Sequence, residues 1–363
     1  MVRRPTKREH VVGHAAVALV WLAVTPSVSF SHHSGAAVYV PAETIEIRGE
    51  VTRVFWRNPH VHVLVRVTDT SGEEAVWNVE SNSVSILDRM GITSDMIQVG
   101  DQVRVAGWPA RRPVNEMFAT NLLLPTGDEL LLMAGSPARW ADETVGSATA
   151  WVTDGDSIDL DDTPDGIFRV WSTNMGNPDS FPLFNDVVAI EESYPLTDSA
   201  RASRAAWNPL EGNPYLSCSP MGMPRVMGQP YPIQFIDDGD SVILRIELYD
   251  TARRIWLEPN LQTEDDTRSI LGRSVGRWQG ETLVVETTRV SWPYFDQSGV
   301  PLSADAVITE RFTPSGDGSR LDYVLTVTDS ETFTEPVTLT KYWTWRPNEQ
   351  VQPFDCQEFE VAP

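Results

Sequence analysis

Cysteine, histidine and basic residues are all scarce in this chain of 363 residues. Two cysteines cannot build a disulfide scaffold or a thiolate metal cluster. Only 28 Lys and Arg stand against 51 Asp and Glu, a formal charge of −23. So acidic a surface lacks the basic stripe that phosphate backbones need, and no nucleic-acid partner is expected. None of the six histidines follows His62, so the second half of the chain cannot hold a Ser-His-Asp or Cys-His site. The sequence has no G-x-G-x-x-G and no G-x-x-x-x-G-K-[ST], which argues against nucleotide chemistry. Beyond the first thirty residues no stretch is apolar over the ~20 residues a span needs, so no stable membrane anchor is expected.

Aromatic residues, by contrast, are plentiful: 12 Phe, 13 Trp and 8 Tyr supply ample burial energy for a globular fold. The first residues read as an address. Arg3, Arg4, Lys7 and Arg8 precede an apolar run from Ala15 to Val24, and Ser29-Phe30-Ser31 places small residues where signal peptidase reads. Residues 1–31 are therefore expected to be a signal peptide cut after Ser31, giving a periplasmic or secreted protein. Trimming leaves four histidines in two doublets, His32-His33 and His60-Val61-His62. In an oxidising compartment Cys218 and Cys356 are expected to pair, the alternative being two buried thiols.

The mature chain alternates in the manner of strands over 45–57, 60–67, 75–80, 102–108 and 117–124, with a helical stretch at 83–90 that Asn82 or Ser81 could cap. The order β-β-β-α-β-β is that of an OB-like small barrel, assigned to residues 32–127. Residues 128–166 are expected to be an acidic linker, since Asp154, Asp156, Asp159, Asp161, Asp162 and Asp165 crowd together off the spacing of an EF-hand. Residues 167–363 carry one helix, Thr197 to Trp207, and then eight strands at hairpin spacing: 232–236, 241–250, 253–258, 275–280, 282–290, 305–313, 320–328 and 336–346. The expected class is all-β, the OB-like domain being followed by a larger antiparallel β-barrel or curved sheet (calycin-like).

Three groups of residues carry candidate chemistry. On strand 60–67, Val61, Val63, Val65 and Val67 mark the core face, so His60 and His62 share the other, about 7 Å apart. A trimmed His32 would add a chelating amine and imidazole; with His60 or His62 that makes a nitrogen-rich metal site best matched to copper, Glu80 being a carboxylate supplement. The alternative is a pair of solvated histidines at a strand entrance. In the larger domain, Arg245, Glu247 and Tyr249 alternate onto one face and are weak acid–base candidates, against a solvated face. Trp343, Trp345 and Trp256 offer a stacking surface for a ring-bearing ligand, against plain core packing.

Several motifs carry a resemblance. His32-His33-Ser34, R-G-E-V at 48–51, F-W-R-N-P-H at 55–60, W-x-x-E at 77–80 and G-D-x-V at 100–103 resemble an uncharacterised family of exported bacterial proteins, a domain of unknown function, over residues 29–127. C-x-P-x-G-x-P-R-x-M at 218–227 and G-R-W-Q-G-E-T-L-V-V-E-T at 276–287 are similar to segments of exported proteins of Gram-negative bacteria. The resemblance implies a location and no activity. The expected function is an exported binding protein for a small apolar or ring-containing ligand, with copper at the smaller domain. The alternatives are a cofactor-independent lyase, isomerase or hydrolase in the larger barrel, or a structural docking module.

Overall fold

A computed structural model describes residues 38–146, 166–174, 194–208, 218–257 and 267–357. The expected leader, His32, His33 and the aspartate run 154–165 lie outside the described residues. The fold is all-β and contains two closed barrels.

The small barrel is built from β1 (Ile45–Phe55), β2 (His62–Thr68), β3 (Glu74–Glu80), β4 (Gln102–Pro109) and β5 (Glu116–Leu123). Strand β1 pairs with both β2 and β4, and a parallel β3–β5 pairing closes the ring in the connectivity expected of an OB-like barrel. Two glycines permit the tight coil. A Cβ on Gly49 would stand 2.0 Å from the Arg66 carbonyl oxygen, and one on Gly107 2.1 Å from that of Phe118. Helix α1 (Val84–Arg89) lies between β3 and β4 in sequence and buries Ile86 and Leu87. Its cap is Ser83, whose hydroxyl accepts from the Ile86 amide at 3.2 Å, rather than Asn82 or Ser81.

The expected linker begins later than its composition suggests. Strands β6 (Glu129–Leu131) and β7 (Thr144–Val145) extend the small barrel's sheet beyond β5. The fully buried Glu129 carboxylate explains why this segment holds: it accepts from the amides of Arg139, Trp140 and Ala141 and from Asn121 Nδ2.

The large barrel contains all eight expected strands: β9 (Ile233–Asp237), β10 (Ser241–Ile246), β11 (Thr251–Trp256), β12 (Arg273–Gln279), β13 (Thr282–Thr288), β14 (Val307–Pro314), β15 (Arg320–Thr328) and β16 (Val337–Trp345). A ninth, β8 (Val170–Ser172), fits between β16 and β9 and closes it. The pairings are antiparallel except β11–β12. Helix α2 (Asp198–Ala206) is capped by Thr197, whose hydroxyl accepts from the Ala200 amide. Strand β10 stops before Glu247, where a 3₁₀ turn over Leu248–Asp250 takes Tyr249 and Asp250 to positive φ; the expected strand 241–250 is therefore shorter by four residues.

The barrels share one contiguous apolar core. Arg89 of α1 forms a bidentate pair with the fully buried Glu247 (2.7 Å to each oxygen) and donates a single bond from Nε to Glu349 Oε1 at 2.8 Å. The C-terminal tail crosses between the units: Asn58 Nδ2 donates to the Phe354 carbonyl at 2.5 Å, and the Gln357 amide to the Asn58 carbonyl at 2.9 Å. Cys218 and Cys356 are disulfide-bonded, their Cα atoms 5.8 Å apart, as expected from the sequence.

Candidate functional site

The small barrel's outer wall gathers polar residues in register. Side chains directly opposite on neighbouring strands share a face. His62 pairs with Glu80, Glu80 with Phe118, and Phe118 with Trp108, so one row crosses β2, β3, β5 and β4. Leu64, Asn78 and Glu116 form the next. Val61, Val63 and Val65 point into the core as expected, yet His62 is only 2 % exposed. The solvated-histidine alternative does not describe it, because a second apolar cluster of Val38, Tyr39 and Phe118, packed by Trp108, is built over this wall.

Hydrogen bonds tie the wall together. His60 Nδ1 lies 2.8 Å from the Ser81 carbonyl oxygen and 3.1 Å from Glu80 Oε1. His62 Nδ1 lies 3.0 Å from Asn78 Oδ1. Tyr39 Oη donates to Glu80 Oε2 at 2.6 Å and stands 3.0 Å from Glu116 Oε1. Asn78 Nδ2 and Arg112 Nη2 each donate to Glu116 at 3.3 Å. Burial, then the charges of Glu80 and Glu116, push the Tyr39 phenol well above its usual range. Burial holds the His60 imidazole below its usual range against the opposing Ser81 bond, so it is neutral at pH 7. The structure thus brings His60, His62 and Glu80 together. Sequence reading missed Tyr39, Asn78 and Glu116. Asn78 was within reach, two residues before Glu80 on one strand, whereas Glu116 arrives only through the β3–β5 closure. Among the described residues no group of three or more His, Cys, Asp or Glu is arranged to hold a metal.

The large barrel seals its polar groups inside. Arg253 on β11 pairs with Glu310 on β14 and donates to Ser274 Oγ and Thr287 Oγ1, while Tyr323 Oη donates to Glu310 Oε1 at 2.8 Å. All five are essentially inaccessible. Nearby, the Lys341 ammonium lies 4.2 Å over the Trp343 ring and donates to the Met227 and Gln229 carbonyls. Burial, helped by Arg225, brings its pKa down to about 7.

The expected acid–base trio does not converge. Arg245 is exposed, Glu247 is committed to Arg89, and Tyr249 leaves the strand to pack on Phe354 at 5.1 Å. Nor do the tryptophans form one surface. Trp343 is fully buried against Tyr323 (5.1 Å) and Phe312 (6.4 Å), while Trp256 alternates with the inward Arg253 and Ile255 and carries Arg254 over its ring.

Trp345 belongs to an aromatic end of the barrel. Three hairpin turns lie at this end, after β9, β12 and β14, away from the Glu247 end of β10. The Arg169 guanidinium stacks over Trp345 (4.5 Å) and Trp171 (5.4 Å) and donates to the Gly318 carbonyl. Trp278 pairs across strands with the inward Leu283, so its register faces the lumen, yet it is 42 % exposed and meets Phe168 at 6.0 Å. The buried Trp343 Nε1 has no hydrogen-bond partner among the described residues.

A model for a family of unknown function (DUF6152) matches residues 19–116, which end at the first residue of β5. No curated protein matches the chain.

Proposed function

We propose that the protein is exported, trimmed after Ser31, and binds a small ring-bearing ligand at the hairpin end of its large barrel. Two features support export: the basic-then-apolar leader and the Cys218–Cys356 bond.

The observation that carries the ligand reading is Trp278. A large aromatic whose register faces the lumen stands exposed at the barrel's end, against Phe168 and near the Arg169–Trp345 stack. A planar ring would stack there, and an anionic substituent would suit Arg169. The lyase, isomerase or hydrolase alternative has less support, because Arg253, Glu310 and Tyr323 satisfy one another in a filled lumen. Copper binding at His32, His60, His62 and Glu80 is a separate proposal, attached to the small barrel.

The test uses 2-naphthoate as a ring-bearing anion, followed by tryptophan fluorescence. Saturable one-to-one binding is expected, about tenfold weaker in Trp278→Ala. Unsaturable quenching of the wild-type protein, or equal affinity in the variant, overturns the reading.

A further inference from the structure

We infer that the cleft between the barrels is a receptor for an extended peptide with an aromatic anchor, which the chain's own carboxy-terminal tail fills in cis and the Cys218–Cys356 bond locks in place. The cleft lies at the Glu247 end of β10, away from the aromatic hairpin end, and does not depend on the ring-ligand reading.

The tail is held as a bound peptide is held. Its main chain meets side chains of both barrels at every second residue. Arg89 Nη2 donates to the Gln350 carbonyl at 3.3 Å, the Gln352 amide donates to Glu247 Oε2 at 2.9 Å, and the Phe354 amide donates to Asp250 Oδ1 at 3.1 Å. Asn58 Nδ2 donates to the Phe354 carbonyl. Main-chain bonds with a period of two fix an extended segment whatever its sequence. The intervening side chains carry little, since Gln350, Gln352, Pro353 and Asp355 are exposed. Phe354 alone is fully buried, edge-on to Tyr231 at 5.4 Å and tilted against Tyr249 at 5.1 Å. One aromatic in a pocket, flanked by main-chain bonds, is an anchor.

The pocket is built with strain that a plain brace does not need. Tyr249 and Asp250, which receive the Phe354 ring and amide, sit at φ 57° and 50°. Non-glycine residues are strained there, and such strain gathers at ligand clamps. The walls also stand without the tail. Arg89 bonds both oxygens of the buried Glu247 directly across the cleft, and Glu247 still accepts from the Gln352 amide.

The lock sits beside the anchor, because Cys356 follows Phe354 by two residues. A dithiol opens it: two hydrogens pass to the cysteine sulfurs, leaving two thiols, and the dithiol becomes a cyclic disulfide. The tail is then held by its non-covalent contacts alone, and a peptide of the same chemistry competes with it. The tethered tail competes at a high effective concentration, so the incoming peptide must be abundant or better fitting.

The experiment uses the full chain with Cys356→Ser, which keeps Phe354 and leaves Cys218 a thiol. The probe is a synthetic peptide of residues 347–357 whose cysteine is activated as a mixed disulfide with thionitrobenzoate. Cys218 attacks this disulfide, bonds the peptide sulfur and expels coloured thionitrobenzoate, so no further oxidant is needed. Release that saturates with peptide is expected, at least about tenfold faster than from the same peptide carrying Phe354→Ala. Equal rates from the two peptides overturn the receptor. A second measurement needs no substitution in the protein. Hydrogen exchange is followed on the wild-type chain, oxidised and in dithiothreitol. Reduction is expected to speed the Gln352 and Phe354 amides at least about tenfold, and added 347–357 peptide carrying Cys356→Ser to speed them further, while β13, β14 and β15 stay protected. Tail amides that remain protected, or that ignore the peptide, overturn the inference. Loss of protection in β13 to β15 makes the tail a structural brace and overturns it equally.

Discussion

The two barrels bury titratable groups in opposite ways. In the large one, Arg253, Glu310 and Tyr323 are turned into the lumen and satisfied by one another. In the small one, His60, His62, Glu80 and Glu116 stand on the outer wall beneath a single incoming segment held by Tyr39. Groups sealed in a lumen act on stability, because whatever reaches them must first open the barrel. Groups under one tyrosine need only that tyrosine to move.

The largest expected effect falls on the link between the regions. Cys356→Ser removes a cross-link of 138 residues' separation, worth roughly 4–5 kcal/mol in the chain-entropy model; urea unfolding checks it. A loss below about 1 kcal/mol would mean the tail's other contacts hold the barrels equally well. Next, Arg253→Ala leaves Glu310 buried without its cation and is expected to cost about 3–5 kcal/mol. A loss of a few tenths would show that water reaches the lumen and would erase the contrast.

Lys341 gives a pH test. Its amine titrates at about 7 in the folded protein and near its ordinary 10.5 when unfolded, so between those values the unfolded chain binds more protons. Stability relative to Lys341→Met therefore rises with pH across this window, by at most about 1.4 kcal/mol per unit, and the difference is constant below pH 7. Paired melts at pH 6, 8 and 9.5 check the sign; a gap that does not change with pH would return Lys341 to solvent. Tyr39→Phe, which removes a bond to a carboxylate, is expected to cost about 1.5 kcal/mol and to raise the solvent exchange of the amides near His60. Smallest is Arg245→Ala, expected within about 0.5 kcal/mol of wild type because the side chain is exposed.

Much of the fold is legible in local pattern, and the failures have identifiable causes. Alternation found all eight long strands of the large barrel, but β8, three residues long, carries too little pattern to be seen. Alternation also ran past Ile246, because Glu247 and Tyr249 continue the rhythm in sequence while the chain turns away at positive φ. That slip produced the Arg245–Glu247–Tyr249 trio. In the candidate site, His60, His62 and Glu80 could be read from spacing and facing. Glu116 could not, since a parallel pairing between strands 38 positions apart leaves no local trace, nor could Tyr39, which is placed by a single bridge to Ala110.

The tail contact has a consequence for biosynthesis. Asn58 meets Phe354 across 296 positions. A chain made from its amino end can finish the first barrel's hydrogen-bond ladder early, yet Asn58 and Cys218 must wait for Phe354 and Cys356 before they find their partners. Until Cys356 emerges Cys218 has no sulfur to bond, so oxidation follows completion of the large barrel's last strand, and a ribosome that stalls just after β16 leaves both modules shaped but unlatched.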